Sequence, residues 1–272
     1  MTTRFLAGID FSCSPSRRKP ITVATGRLVD GGAVLSAEAV ADLPTLDAFA
    51  AWLQAPGPWL GAFDFPFGLP REFVESNGLG ANAAAVIETV RRRAPTRMAW
   101  RALIDAWGNG REPGSRLIHR RTDLASPVGS TSPLQTRYVP VGLMYYEGVA
   151  RLVAAGVSMP GLHAGDAGRV ALEGYPRRLA HALVGRRSYK NGDDEDRRSA
   201  REAIVAALEA GIDGAPRLAI GDHSLRASLV ADASGDRLDA VLCLVQAAVA
   251  SRLEHYGLPD DIDPVEGWIA AT

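Results

Sequence analysis

The chain has 272 residues, 47% hydrophobic and 22% charged, which suits a soluble globular protein able to build a core without disulfide or metal staples. Its net charge of −1 excludes a global electrostatic pull toward nucleic acid and leaves any such contact to local clusters. Cys13 and Cys243 are its only cysteines, so no disulfide framework or CxxC redox pair is available.

In chain order, Arg4 to Ile9 is a short apolar run ending in Asp10 and reads as a buried strand. Ile21 to Arg27 and Ala33 to Val40 flank an Asp30-Gly31-Gly32 turn signal and predict a hairpin. Thr45 caps a short helix through Gln54, with Leu46, Phe49, Ala50 and Leu53 at helical spacing, and Pro56-Gly57-Pro58 stops it. Trp59 to Phe63 is a fourth strand, ending in Asp64. Strand, hairpin, crossover helix and strand together predict a mixed sheet of α/β type. Residues 81–107 are Ala/Arg-rich and predict helix, whereas 108–140 are rich in Gly, Pro, Ser, Thr and Arg and read as a long loop. Helix is expected again over 142–155, a strand over Arg169 to Leu172 ending in Glu173, a charged helix over 193–210, and a last helix over 236–256. The longest apolar stretch, Ala240 to Ala250, contains Gln246 and is too short to cross a bilayer. The N-terminal residues lack the apolar core of a signal peptide, so a cytoplasmic protein without membrane association is expected.

The acids at the ends of these elements are the candidate chemistry. Asp10 and Asp64 close strands, Glu173 closes a later one, and Asp236 and Asp239 open the last helix, three residues apart and so on one side of it. Carboxylates at strand ends stand where open α/β sheets bind ligands. Gathered acids repel one another, and a hard cation such as Mg²⁺ or Mn²⁺ relieves that repulsion through oxygen ligands. Two such ions about 4 Å apart activate water and stabilise a leaving oxygen in phosphodiester hydrolysis. Each acid also has a plainer reading. Asp10, Asp64 and Glu173 suit turns, and Asp236 suits a helix N-terminus. Asp239 resists one, because it sits among residues that its helix buries and a lone carboxylate near a core is costly.

Among other candidates, the Arg91 to Arg93 run reads as a solvated helix face, and the Arg116 to Arg121 cluster lies in the long loop, where it could bind phosphate. Arg177 and Lys190 flank the Glu173 segment and are candidate substrate-binding residues, as is Ser12, just after Asp10. Tyr138, Tyr145 and Tyr146 could stack on bases, though core packing explains them as well. The histidines show no metal-ligand spacing, and no P-loop or GxSxG elbow is present.

Gly8-Ile9-Asp10, Asp64-Phe65-Pro66-Phe67-Gly68-Leu69, Glu173-Gly174-Tyr175-Pro176, Asp236-Arg237-Leu238-Asp239-Ala240 and Glu266-Gly267-Trp268-Ile269 together resemble the domain-of-unknown-function 429 family, predicted nucleases of RNase H-like, RuvC-type fold. The resemblance runs from Gly8 to Ile269. It implies a single RNase H-like domain over 1–272, with helices on both faces of a mixed sheet and a helix- and loop-rich insertion after the fourth strand, at about 70–165. It implies that Asp10 matches the first-strand catalytic aspartate and Asp64 the acid of the fourth strand. Asp236 and Asp239 match the paired acids of the final helix, and Glu173 belongs to the family's own pattern. The expectation is a nuclease acting on DNA or RNA with two bound Mg²⁺ or Mn²⁺ ions, with Asp10, Asp64, Asp239 and Glu173 catalytic and Asp10, Asp64, Asp236 and Asp239 on the metals. Two other classes share the fold. One is the ATP-binding actin and sugar-kinase type, which also begins with a strand-end aspartate followed by small hydroxyl residues. The other is a non-catalytic binding protein.

Overall fold

In the computed structural model, which describes residues 5–125 and 128–270, the first apolar run forms β1 (Phe5–Asp10); Arg4, expected to start it, lies outside the described residues. The hairpin forms from β2 (Ile21–Val29) and β3 (Val34–Leu43). Asp30, Gly31 and Gly32 turn it with positive φ, which glycine adopts freely and aspartate tolerates. The side chain of Thr45 accepts the Ala48 N–H at 3.0 Å and starts α1 (Leu46–Leu53), which leads to β4 (Trp59–Phe63).

Helices α2 (Arg71–Ser76), α3 (Ala83–Arg93), α4 (Arg97–Gly108), α5 (Arg121–Ala125) and α6 (Val141–Ala154) follow. The single helix expected over 81–107 is two. Pro95 cannot donate to the helical ladder, Ala94 leaves the helical region at φ −128°, ψ 75°, and Thr96 recaps the chain by accepting the Ala99 N–H. The chain then forms β5 (Val157–Ser158), β6 (Asp166–Glu173), α7 (Pro176–Val184), α8 (Glu195–Ala210), β7 (Arg217–Ile220), α9 (His223–Ala231) and α10 (Asp236–Ala250). The last helix ends at Ala250, short of the expected Tyr256, and His255 and Tyr256 beyond it take positive φ.

The seven strands form one mixed sheet in the order β5-β6-β4-β1-β2-β3-β7. β2 runs antiparallel to both its neighbours, and the other pairings are parallel. Alternate residues serve opposite faces. Ala7, Ile9, Trp59 and Phe63 pack with Phe49, Val90, Trp100 and Tyr145 of α1, α3, α4 and α6. Leu6, Leu60, Val170 and Leu172 pack with Leu208, Leu229, Val241 and Leu244 of α8, α9 and α10. Helices therefore cover both faces, and most of the chain between β4 and β6 lies on one of them.

Helix α10 crosses β1 at Gly8. A Cβ built there would lie 2.0 Å from both the Ala240 carbonyl oxygen and the Leu244 nitrogen. Both obstacles are backbone, so no rotamer change relieves the clash. Gly8→Ala is expected to lose about 3 kcal/mol or more, measured as a shift of the urea unfolding midpoint; unchanged stability would mean that α10 does not seat on β1 this closely.

Candidate metal centre

Three acids from distant segments meet at one end of the sheet. β1 and β4 are parallel neighbours with Ile9 level with Phe63, and the Asp64 N–H donates to the Ile9 carbonyl at 2.9 Å. Ile9 and Phe63 face the α1–α6 side. One residue further on, Asp10 and Asp64 therefore turn toward α10. There they meet Asp239, fully buried in the first turns of α10. Oxygens of the three carboxylates lie within 4.8 Å of one another. Asp10 and Asp64 are partly exposed, so the group opens to solvent on one side. Asp236, one turn earlier on α10, stands outside this triad, but its charge acts on Asp10.

Electrostatics follow from this crowding. Burial, then the charge of Asp236, hold the Asp10 carboxyl well above the ordinary aspartate range, with Lys190 and Lys19 opposing. Burial likewise pushes Asp64 up to about 6, against the pull of Lys190. Asp239 is held from both sides: the Tyr189 hydroxyl donates to its Oδ1 at 2.6 Å, and the Lys190 ammonium pairs with its Oδ2. The loop carrying both residues is pinned by Arg201 of α8, itself fully buried. Its guanidinium donates to the carbonyls of Tyr189 at 2.9 Å, Gly192 at 3.0 Å and Val230 at 2.7 Å. The Arg197 Nε also donates to the Lys190 carbonyl at 3.0 Å. Neither Arg201 nor Tyr189 stood out in the sequence, since nothing in their neighbourhoods marks them.

An all-carboxylate donor set, crowded and only partly neutralised by one ammonium, fits a hard divalent cation. Asp10, Asp64 and Asp239 are the residues able to hold it.

Glu173 is not brought to this centre. It is level with Phe63 on β6, so it projects to the opposite face from Asp10 and Asp64. There Arg120 donates to its two oxygens at 2.6 and 2.8 Å, and the Phe67 N–H donates at 2.8 Å. Arg120 is also buried, and it bonds both oxygens of Asp123 and the Glu266 carbonyl. This network ties the long loop, the end of β6 and the Glu266-Gly267-Trp268 segment together. Glu266 accepts the N–H groups of Arg71 and Arg121. The Arg116 to Arg121 cluster is therefore not a uniform phosphate surface: Arg120 is internal, and Arg121 pairs with Asp261.

Ser12 accepts the Ser14 N–H at 3.3 Å in the turn after Asp10, and Arg97 holds that turn through the Ser14 hydroxyl and the Cys13 carbonyl. Arg177 and Lys190 both line a cleft of about 740 Å³ beside the centre. Tyr145 and Tyr146 are core residues, whereas Tyr138 is 99% exposed. Compared with known protein families, with curated proteins and with solved structures, the chain matches none.

Two tests follow from these environments. Asp64 keeps its proton to about pH 6 in the fold but only to about pH 4 in an unfolded chain. Its contribution to stability is therefore fully present below pH 4 and lost as pH rises through 6. Without divalent ions, Asp64→Asn is expected to raise the melting temperature at pH 7.5, by a gain of about 1–2 kcal/mol after allowance for partial exposure, and to leave it unchanged at pH 4. Equal effects at both pH values would show that the carboxyl is not strained. Removing one partner of the internal ion pair, as in Arg120→Met, is expected to cost about 3–5 kcal/mol in urea unfolding; a loss under 1 kcal/mol would place Arg120 in solvent.

Proposed function

We propose that the protein is a divalent-metal-dependent nuclease that hydrolyses phosphodiester bonds in DNA or RNA, built on an RNase H-like core of the domain-of-unknown-function 429 type. The observation that carries this reading is the convergence of Asp10, Asp64 and Asp239 within 4.8 Å from a first strand, a fourth strand and a last helix. The succession β3-β2-β1-β4-β6, with β2 alone antiparallel to its neighbours, supports the same core. The fold by itself is compatible with several chemistries, so the site carries the weight.

When bound, Mg²⁺ or Mn²⁺ would supply an activated water and a counter-charge for the leaving oxygen. The protein's own contribution is position and charge. Parallel pairing of β1 with β4 sets Asp10 beside Asp64, and α10 brings Asp239 to them. Asp236, partly exposed, adds negative charge beside Asp10 from the first turn of α10. Lys190 adds fixed positive charge where the substrate's own charge accumulates. Glu173 acts at a distance, anchoring β6 through Arg120.

Cleavage of a panel of single- and double-stranded DNA and RNA is expected with Mg²⁺ or Mn²⁺ and not with EDTA. Asp10→Asn, Asp64→Asn and Asp239→Asn should each lower the rate by at least about 100-fold. A purified protein that cuts none of these substrates and binds no Mn²⁺ would sink the proposal.

A further inference from the structure

The cleft beside the carboxylates has a composition that the metal centre does not explain. Besides Lys190, which pairs with Asp239, Arg177, His181, Arg186 and Arg187 line it, and among the described residues no acidic one does. The chain as a whole has 30 basic and 31 acidic residues, and most of its arginines pair with carboxylates. On the neighbouring elements, Arg198 pairs with Asp193, Arg226 with Glu202 and Glu209, and Arg237 with Asp42. Arg177, Arg186 and Arg187 are exposed, and none of them has a carboxylate partner among the described residues. Keeping unpaired like charges together costs free energy that an anionic ligand would offset.

The cleft is also preformed. Its Tyr189–Lys190 wall is the loop that buried Arg201 holds through the Tyr189 and Gly192 carbonyls and ties to α9 through the Val230 carbonyl. The same two residues reach Asp239, so the cleft and the carboxylate centre share a wall. A second exposed basic run, Arg17, Arg18 and Lys19, leads away from Asp10, and the charge of Lys19 is felt at Asp10. Guanidinium groups match phosphate oxygens in a fork geometry.

The geometry points to this cleft as a binding site for the sugar-phosphate backbone of a nucleic-acid strand. It holds phosphates adjacent to the one that lies at Asp10, Asp64 and Asp239, and it does so without the metal ion. The inference rests on the nuclease reading for the location of the reacting phosphate, but it has its own measurement. The test is fluorescence anisotropy of labelled single-stranded and duplex oligonucleotides in EDTA over a range of salt concentrations. Competitors are inorganic phosphate, a mononucleotide and poly-glutamate, and the Arg186→Glu/Arg187→Glu variant is measured in parallel with its melting temperature.

The wild type is expected to bind an oligonucleotide in EDTA. The double variant, melting as the wild type does, should bind at least about tenfold more weakly, with a salt slope smaller by roughly 1.5 for two lost phosphate contacts. Equal binding and slope in the two proteins, or no oligonucleotide binding by the wild type, overturns the inference. So does competition by phosphate, mononucleotide or poly-glutamate as effective as by an unlabelled oligonucleotide, which would indicate a small-anion pocket or a general acidic surface. Cleft-dependent binding with no cleavage in Mg²⁺ or Mn²⁺ supports the cleft and defeats the nuclease reading. Cleavage with a variant that binds as the wild type does the reverse.

Discussion

Helix α10 lies directly on the backbone of β1, and the site exists because it can. Where the two cross, Gly8 presents no side chain, and the helix backbone fills the space a Cβ would need. That approach sets the depth and direction from which Asp239 reaches the sheet end. β1 in turn sets the height of β4 through parallel pairing, so Asp10, Asp64 and Asp239 take their relative positions from one strand. Leu238, Val241 and Leu244, buried under the helix, hold it down on both sides of the glycine contact.

Bringing three carboxylates to one place stores repulsion, and the protein offsets only part of it. Lys190 and Tyr189 engage Asp239 directly, whereas Asp10 and Asp64 keep raised proton affinities. The contrast with Glu173 is instructive. Burial raises its proton affinity as well, yet Arg120 and the Phe67 N–H bond both its oxygens. One face of the sheet holds a closed ionic network and the other an unsatisfied one. A satisfied network rigidifies, and an unsatisfied one retains capacity for a ligand.

Much of this is legible in the sequence. Asp10 and Asp64 follow unbroken apolar strands, and Asp239 interrupts a buried helical stripe, so the members of the triad were visible from period and position. Glu173 was legible as a strand-end acid but not as one facing away. Its side depends on β6 pairing with β4 so that it falls level with Phe63, and register is a tertiary property. Arg120 was submerged in a run of similar arginines, and only burial separates it from Arg121. β7 and α9 are short, with no strong periodicity to announce them. Pro95, in contrast, is a visible helix breaker that the alanine-rich composition around it obscured.

The order of the contributing segments along the chain also matters for how the centre comes into being. Asp10 belongs to β1 and Asp239 to α10, so the acids are joined by a contact between segments far apart along the chain. As the chain emerges from a ribosome, β1 and β4 can pair early, while the seat of α10 on Gly8 stays open until α10 itself has been made. Long-range closures of this kind form late. A nascent chain would therefore carry the parts of the centre without the centre itself. That timing withholds the assembled acids, and any cation they could hold, until the elements around them are in place.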